Sequence, residues 1–117
     1  MNFFEAELRD SGVRLAGDVR LQLPRPIPGE AGRRVIFGIR PEHIAVRNGK
    51  PEAAAVPSLI EVVEPLGHDV VATARCAAGT FQLNAEIHAN LKPQQNLDLW
   101  FDLSRAYLFD KETECAL

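Results

Sequence analysis

Apolar and polar residues alternate along much of the chain. Residues 4–8, 81–88 and 97–104 each place apolar side chains at every second position. Successive side chains of a β-strand point to opposite faces, so this period predicts strands with one buried and one exposed face. Such runs recur about every 8 to 12 residues, separated by turn residues, and no 11-residue window has the apolar spacing of an amphipathic helix. The pattern predicts an all-β protein of about nine or ten short strands, in one barrel or a pair, with little helix.

Some stretches depart from simple alternation. Residues 59–64 are apolar on both faces, which predicts a strand covered on both sides, and Pro65-Leu66-Gly67 then predicts a turn. Residues 50–55 suggest a loosely specified connection. The strand at 97–104 predicts a solvated polar face that carries Asp98, Trp100 and Asp102. The prolines of Pro24–Gly29 predict an extended surface loop, either a plain connector or a docking segment.

The stretch Gly38–Ile44 is a polar interruption between two apolar runs. Proline cannot donate to a sheet ladder and disfavours helix at the residue before it, so Pro41 predicts a strand end or corner. Arg40, Glu42 and His43 beside it could form a catalytic cluster. A local salt bridge and turn hydrogen bonds explain the same residues more simply, and we favour that interpretation.

Composition and charge narrow the class of protein. The chain has 117 residues, enough for one domain, and two lobes that share a core, with a seam near residues 47–57, are an alternative. A formal net charge of −3 argues against a general nucleic-acid surface. Cys76 and Cys115 form no metal-binding pair and are expected to be reduced thiols in a cytosolic protein. We find neither a secretory signal nor an apolar run of membrane-spanning length, so direct membrane insertion is not expected.

Motifs for known chemistry are missing from the sequence. Gly49-Lys50 is followed by Pro51, so it is not a phosphate-binding P-loop. The three histidines, His43, His68 and His88, lack metal-site spacing. Trp100 could stack on a base or sugar, but the sequence predicts no basic residues on its strand face. No catalytic residue, cofactor or metal is therefore expected within this chain.

Several motifs in order resemble the C-terminal regulatory part of the ATP-binding subunits of sugar-type ABC importers, the maltose and glycerol-3-phosphate transporter family. Gly38, Arg40, Pro41, Glu42 and His43 carry the most specific match. Gln94 and Glu114 depart from the glycines common in that family. The matching stretches cover almost the whole chain: Met1-Asn2-Phe3, Phe37–His43, Val62–Gly67 with Glu64, Pro65 and Gly67, Leu91-Lys92-Pro93, Phe101-Asp102 and Leu108–Thr113.

The resemblance implies a transport-associated (TOBE), oligonucleotide/oligosaccharide-binding-like (OB-like) barrel across residues 1–117. It implies that an ATPase domain, which binds ATP and Mg²⁺, precedes this region in a longer parent protein. The region itself would be non-catalytic and would contact its counterpart in a second copy of the subunit. Other implied partners are the transporter's membrane subunits, reached through the ATPase domain, and in some members a regulatory protein. The implied location is the cytoplasmic side of the cell membrane.

A second interpretation belongs to a different class. Related transport-associated domains of molybdate systems bind oxyanions through backbone amides and small hydroxyl residues. A serine- and glycine-rich loop with a lysine, as that role requires, is not evident in this sequence. The chain could therefore be an importer regulatory and dimerisation module or a small-ligand-binding barrel, and neither alternative identifies a transported solute.

Overall fold

The computed structural model describes residues 1–10, 12–24, 29, 31–113 and 115–116. Most of the predicted loop at Pro24–Gly29, and the departure at Glu114, lie outside the described residues. Within these residues the chain forms short 3-10 turns at 16–18, 41–43, 87–89 and 103–105. The described strands, which confirm the all-β prediction, are β1 (Asn2–Arg9), β2 (Gly12–Leu15), β3 (Val19–Gln22), β4 (Arg34–Ile39), β5 (Ile44–Ala45), β6 (Ala53–Leu66), β7 (Asp69–Cys76), β8 (Gly79–Glu86), β9 (Asn96–Asp102) and β10 (Tyr107–Asp110).

The strands pair into two antiparallel sheets. Sheet A has the order β10-β4-β1-β2-β3, and sheet B has the order β5-β9-β6-β7-β8. Alternation decides which face of each strand is buried. In β1, for example, Phe4, Ala6 and Leu8 are buried as the sequence predicts. The buried faces of both sheets contribute to one hydrophobic core.

Phenylalanine rings occupy the centre of this core. Phe37 of sheet A stacks on Phe101 of sheet B with ring centroids 6.5 Å apart. Phe81 meets Phe101 edge to face at 5.3 Å, and Phe4 lies 6.1 Å from Phe101. Offset and edge-to-face pairs are the favoured aromatic geometries. Phe101 therefore connects the two sheets through several ring contacts.

Polar contacts also join the sheets. The side-chain amide nitrogen of Asn2 donates to the carbonyl oxygen of Gln82 at 2.7 Å. The backbone N–H of Gln82 in turn donates to Asn2 Oδ1 at 2.9 Å. This reciprocal pair attaches the start of β1 to the middle of β8.

Strand β6 differs from the prediction at both ends. Ala53–Ala55, predicted as a loose connection, begins the strand and pairs with residues 100–102 of β9. Alanine has little intrinsic preference for strands, so partner pairing decides the conformation here. At the other end β6 continues through Pro65 and Leu66, and the turn lies at Gly67-His68 instead of at Pro65–Gly67.

The prediction that residues 59–64 form a strand covered on both sides is wrong at Val62 and Glu64, and Leu66 beyond them is also exposed. Val62 is 45% exposed and Leu66 is 62% exposed. Strand β9 pairs with β6 only from Ala53 to Leu59. Beyond Ile60, β7 is the only strand that pairs with β6 among the described residues, so one edge of β6 is open there.

Two predicted strands end earlier than their alternation suggests. Ile87 begins a 3-10 turn after β8 and is 44% exposed. Leu103 begins another after β9, where the Asp102 side chain accepts a hydrogen bond from Ser104 N. A local side-chain bond of this kind competes with continued strand pairing.

The two cysteines do not form a disulfide with each other. Cys76 is buried and Cys115 is exposed, and both are free thiols. Within the described part of the chain, no helix has the length and apolar character needed to cross a membrane.

An ion pair on the surface of sheet A allows a prediction about the pKa of Glu5. Lys111 Nζ lies 2.7 Å from Glu5 Oε1, and this hydrogen bond, with the lysine charge, lowers the pKa of Glu5 below its ordinary value. A lowered folded-state pKa stabilises the fold above the unfolded-state pKa, and this contribution is lost as pH falls through the folded value. In an NMR titration we expect Lys111→Met to raise the pKa of Glu5. An unchanged Glu5 pKa in that variant would contradict the assignment.

Candidate functional site

The predicted corner at Gly38–Ile44 carries the chain from one sheet to the other. Strand β4 is inside sheet A and β5 is at the edge of sheet B, and the 3-10 turn Pro41–His43 joins them. His43 N–H donates to the Arg40 carbonyl oxygen at 3.0 Å, and Ile44 N–H donates to the Pro41 carbonyl oxygen. Proline at the first position of the turn has no N–H to leave unpaired. The predicted turn hydrogen bonds are therefore backbone bonds.

Gly38 allows a close approach on the outer face of sheet A. It lies between Phe3 of β1 and Tyr107 of β10 in the strand register. A Cβ atom at this position would lie 2.8 Å from Met1 Sδ and 3.4 Å from the ring of Phe3. A side chain here would displace Met1, so glycine keeps this part of the face flat.

The charged residues of the corner behave differently from the sequence prediction. Arg40 and Glu42 are exposed, and no salt bridge joins them in the described structure. The expected local salt bridge is therefore absent. His43 is half-buried, and its Nδ1 atom is buried without a hydrogen-bond partner. An unpaired buried N–H costs free energy, which favours the tautomer with the proton on Nε2.

Glu64, Pro65 and Gly67 lie at the far end of the β6–β7 hairpin, on separate elements from the corner. All three are exposed. Gly67 has a φ of +68°, which a tight turn requires and glycine adopts without strain. The carbonyl oxygen of the next residue, His68, accepts a hydrogen bond from Ile87 N–H at 3.1 Å. We name the residues 62–68 and Ile87 the hairpin tip.

Two aspartates that end strands are structural. Asp102, predicted on a solvated face, is buried, and its Oδ1 accepts from Ser104 Oγ at 2.6 Å and Ser104 N at 3.2 Å. Asp110 is also buried, and its Oδ1 accepts from the backbone N–H groups of the two residues that follow Lys111. Its other oxygen pairs with Arg33. Of the two aspartates predicted on the solvated face of residues 97–104, only Asp98 is exposed.

A pocket of about 220 Å³ opens beside the corner. Half-buried Trp100 of β9 lies in its wall, together with side chains from the loop after β5 and from the last 3-10 turn. The sequence predicted no basic residues on the strand face of Trp100, and the basic residues beside it come instead from loops distant in sequence that converge here. We name this cavity the Trp100 pocket; its charged and histidine lining residues are Glu42, His43, Arg47, Lys50, Asp102 and Arg105.

The three histidines do not assemble a metal site. Among the described residues, no group of three or more His, Cys, Asp or Glu side chains is arranged to hold a metal ion. His43 is at the corner, whereas His68 and His88 lie at or beside the hairpin tip. Most of the predicted site residues thus lie on exposed surfaces or beside the charged Trp100 pocket.

Two protein-family models match this chain, one over its first part and one over the rest up to residue 109. The MalK OB fold domain matches residues 1–44, and the TOBE domain matches residues 37–109, more than half of the chain. The two matches overlap at the corner. The predicted seam near residues 47–57 stays a prediction.

The relatives with similar sequences are importer ATP-binding subunits. The trehalose/maltose import ATP-binding protein MalK of Thermococcus litoralis is 31% identical over 100% of this chain and 34% of its own length. The sulfoquinovosyl glycerol transport ATP-binding protein SmoE of Agrobacterium fabrum is 39% identical over 97% of this chain and 32% of its own. The sn-glycerol-3-phosphate import ATP-binding protein UgpC of Salmonella paratyphi A is 33% identical, with the same coverage as SmoE. The chain thus spans about a third of these relatives.

A solved structure has a similar fold. The cytoplasmic molybdate-binding protein ModG, in a form with molybdate bound, superposes with a TM-score of 0.72 over 92% of this chain and 94% of its own. The two sequences are 14% identical, so this similarity concerns the fold. The family matches and the fold together confirm the OB-like prediction, and the chain belongs to the TOBE domain family.

Proposed function

We propose that the chain is a non-catalytic regulatory and dimerisation module of the ATP-binding subunit of an ABC importer for carbohydrates, polyols or glycerol phosphates. One observation carries this proposal: almost the whole chain matches about a third of several importer ATP-binding subunits. The matching third corresponds to OB-fold and TOBE domains. The module would work at the cytoplasmic face of the membrane, where the parent subunit meets the membrane subunits.

Hydrolysis of ATP would belong to another domain of the parent protein. The chain lacks the Gly-x-x-x-x-Gly-Lys-Ser/Thr motif that cradles nucleotide phosphates, so ATP and Mg²⁺ would bind outside it. Reading the coding DNA upstream of Met1 tests this directly. We expect that motif and a Leu-Ser-Gly-Gly-Gln signature in frame, and their absence would contradict the importer assignment. Turnover of ATP by the isolated chain would contradict the non-catalytic role.

The hairpin tip is the surface that we assign to the second copy of the subunit. It exposes Val62, Leu66 and Ile87, and its strand has an open edge. Exposed apolar side chains of this kind are suited to a contact between copies. Such a contact, remote from the nucleotide site, would raise the effective concentration of the two ATPase domains for each other.

We expect Leu66→Asp to weaken self-association of the isolated chain. Placing a charge in an apolar contact leaves it desolvated and unpaired. Sedimentation equilibrium up to about 1 mM protein detects a contact of about −4 kcal/mol. Phe3→Asp is the matched control, because Phe3 is 60% exposed on sheet A, away from the hairpin tip. A chain that stays monomeric, or one that only Phe3→Asp dissociates, would contradict this interface.

The corner is a second candidate surface, for a regulatory protein or a neighbouring domain. Arg40 and Glu42 are exposed there and unpaired with each other. Their charges are thus available to a partner. Because the Arg40 side chain makes no hydrogen bond or salt bridge within the described structure, Arg40→Ala would affect coupling in the parent protein more than folding.

The alternative function, an oxyanion-binding barrel, has one supporting observation, the fold shared with the molybdate-binding ModG. Titration with molybdate, ATP and sugars, followed by Trp100 fluorescence, separates the two functions. Saturable binding of micromolar molybdate would favour the barrel alternative. No response to molybdate would favour the importer module.

A further inference from the structure

We propose that the Trp100 pocket binds a small organic phosphate, such as a phosphorylated sugar. This site is independent of the proposed dimer contact and of any nucleotide site in a parent protein. Its volume of about 220 Å³ is below the range of pockets for drug-sized ligands. A ligand of a few carbon atoms with one phosphate group is of the appropriate size.

The charges of the Trp100 pocket favour an anion. Arg47, Lys50 and Arg105 line it, and none of them has a carboxylate partner within salt-bridge distance among the described residues. These three cations converge although the chain has a formal net charge of −3. Because like charges repel, an anion between them would lower the electrostatic free energy of the pocket.

Another surface depression differs from the Trp100 pocket in its charge balance. The depression beside β1 also contains cations, but Arg14 there pairs with Glu7 and Lys111 pairs with Glu5. Arg34 also lines this depression and has no salt bridge among the described residues, but Glu5, Glu7 and Asp18 match its three cations in number. In the Trp100 pocket the balancing charge would come from a ligand.

The two carboxylates that line the pocket do not prevent an anion from binding there. Asp102 is buried, and the oxygen Oδ1 is occupied by Ser104, so this carboxylate is held by its own turn. Glu42 is exposed and can turn toward solvent. Three basic side chains against two carboxylates leave the pocket basic, and His43 can add a donor through Nε2.

The side chains fit the two parts of a phosphorylated ligand. Arginine guanidinium groups bind phosphate oxygens through paired hydrogen bonds, and lysine contributes a point charge. A phosphate monoester carries about −1.5 to −2 charges near neutral pH. It therefore balances three cations better than a ligand with a single carboxylate group would. The indole of Trp100 can pack against the apolar face of the organic part.

Fluorescence titration and calorimetry with matched probes test the proposal. Trp100 is the only tryptophan, so its emission reports on the pocket directly. We expect saturable binding of glucose 6-phosphate, weaker binding of inorganic phosphate and no binding of glucose. Equal affinity for glucose 6-phosphate and inorganic phosphate would contradict a preference for organic phosphates. Binding of glucose would overturn the proposal.

Variants locate the site. Arg47→Gln and Arg105→Gln should each weaken binding of glucose 6-phosphate by about 10-fold or more, because a charge-assisted hydrogen bond is lost. Arg20→Gln is the matched control, since Arg20 is exposed and lies in sheet A outside the pocket. All three positions are exposed or near the surface, so folding should be preserved and circular dichroism can verify it.

Three results would overturn the proposal: no saturable response to phosphate compounds up to about 10 mM, equal binding by the Arg47→Gln and Arg105→Gln variants, or equal loss in Arg20→Gln. None of these measurements needs ATP, a second subunit or a membrane protein. Failure of the importer proposal and failure of this site are therefore distinguishable.

Discussion

Replacing Phe101 with alanine is expected to lower the free energy of unfolding by about 3–5 kcal/mol. The side chain is fully buried, and its ring contacts those of Phe4, Phe37 and Phe81 from both sheets. Its removal leaves a cavity where the sheets meet, and rigid strand pairing on either side limits collapse. Since small domains are stable by about 5–15 kcal/mol in total, much of the stability would be lost.

Urea unfolding followed by circular dichroism measures this loss without relying on Trp100, which is the neighbour of Phe101 in sequence. Phe3→Ala is the control with the same chemical change. Phe3 is 60% exposed and has one edge contact, with Phe109 at 6.3 Å. We expect a loss below about 1 kcal/mol for this surface position. Similar losses for the two variants would show that the centre of the core has been assigned wrongly.

The central part of the fold could be predicted from local sequence. Strict alternation in β1 and β8 identifies which side chains face the core, because a one-residue shift would expose all of them. The corner at Pro41 was also predictable, since proline restricts the backbone of its own position and of the one before it. The structure confirms that the chain turns there, between β4 and β5.

The errors occur where distant partners decide the outcome. The conformation of Ala53–Ala55 depends on pairing with β9, which lies more than 40 residues later in the chain. The open second half of β6 depends on where β9 stops pairing with it. No local sequence pattern indicates that Ala53–Ala55 pair with β9, or where β9 stops pairing with β6. Similarly, the early ends of β8 and β9 follow from short turns that alternation cannot distinguish from continued strand.

The candidate site was only partly predictable for the same reason. The corner and hairpin tip are continuous in sequence, so their motifs indicate them. The Trp100 pocket combines Arg47 and Lys50 with Arg105, more than 50 positions apart, and β5–β9 pairing brings them together. Its basic character arises from the pairing of β5 with β9, whereas the alternation around Trp100 predicted no basic residues on that strand face.

Replacing Gly17 with alanine is expected to lower the free energy of unfolding by about 2–5 kcal/mol. Gly17 has a φ of +72°, a left-handed conformation that costs an L-residue about 1–2 kcal/mol. A Cβ atom there would also lie 2.7 Å from the carbonyl carbon of Ala77 and 2.9 Å from its Cβ. Ala77 is in the β7–β8 turn of sheet B, whereas Gly17 follows β2 of sheet A. The added methyl group would therefore push the two sheets apart.

Gly67→Ala separates the two causes, because Gly67 has nearly the same φ, +68°, but a Cβ there would have no neighbour within 4 Å. This control should lose only the conformational part, about 1–2 kcal/mol. The difference between the variants in urea unfolding then measures the contact between the sheets at Ala77. A Gly17→Ala loss no larger than that of Gly67→Ala would mean that the sheets can separate locally at little cost. Because the core rings bridge the same two sheets, we expect them to resist such a separation and the difference to be clearly positive.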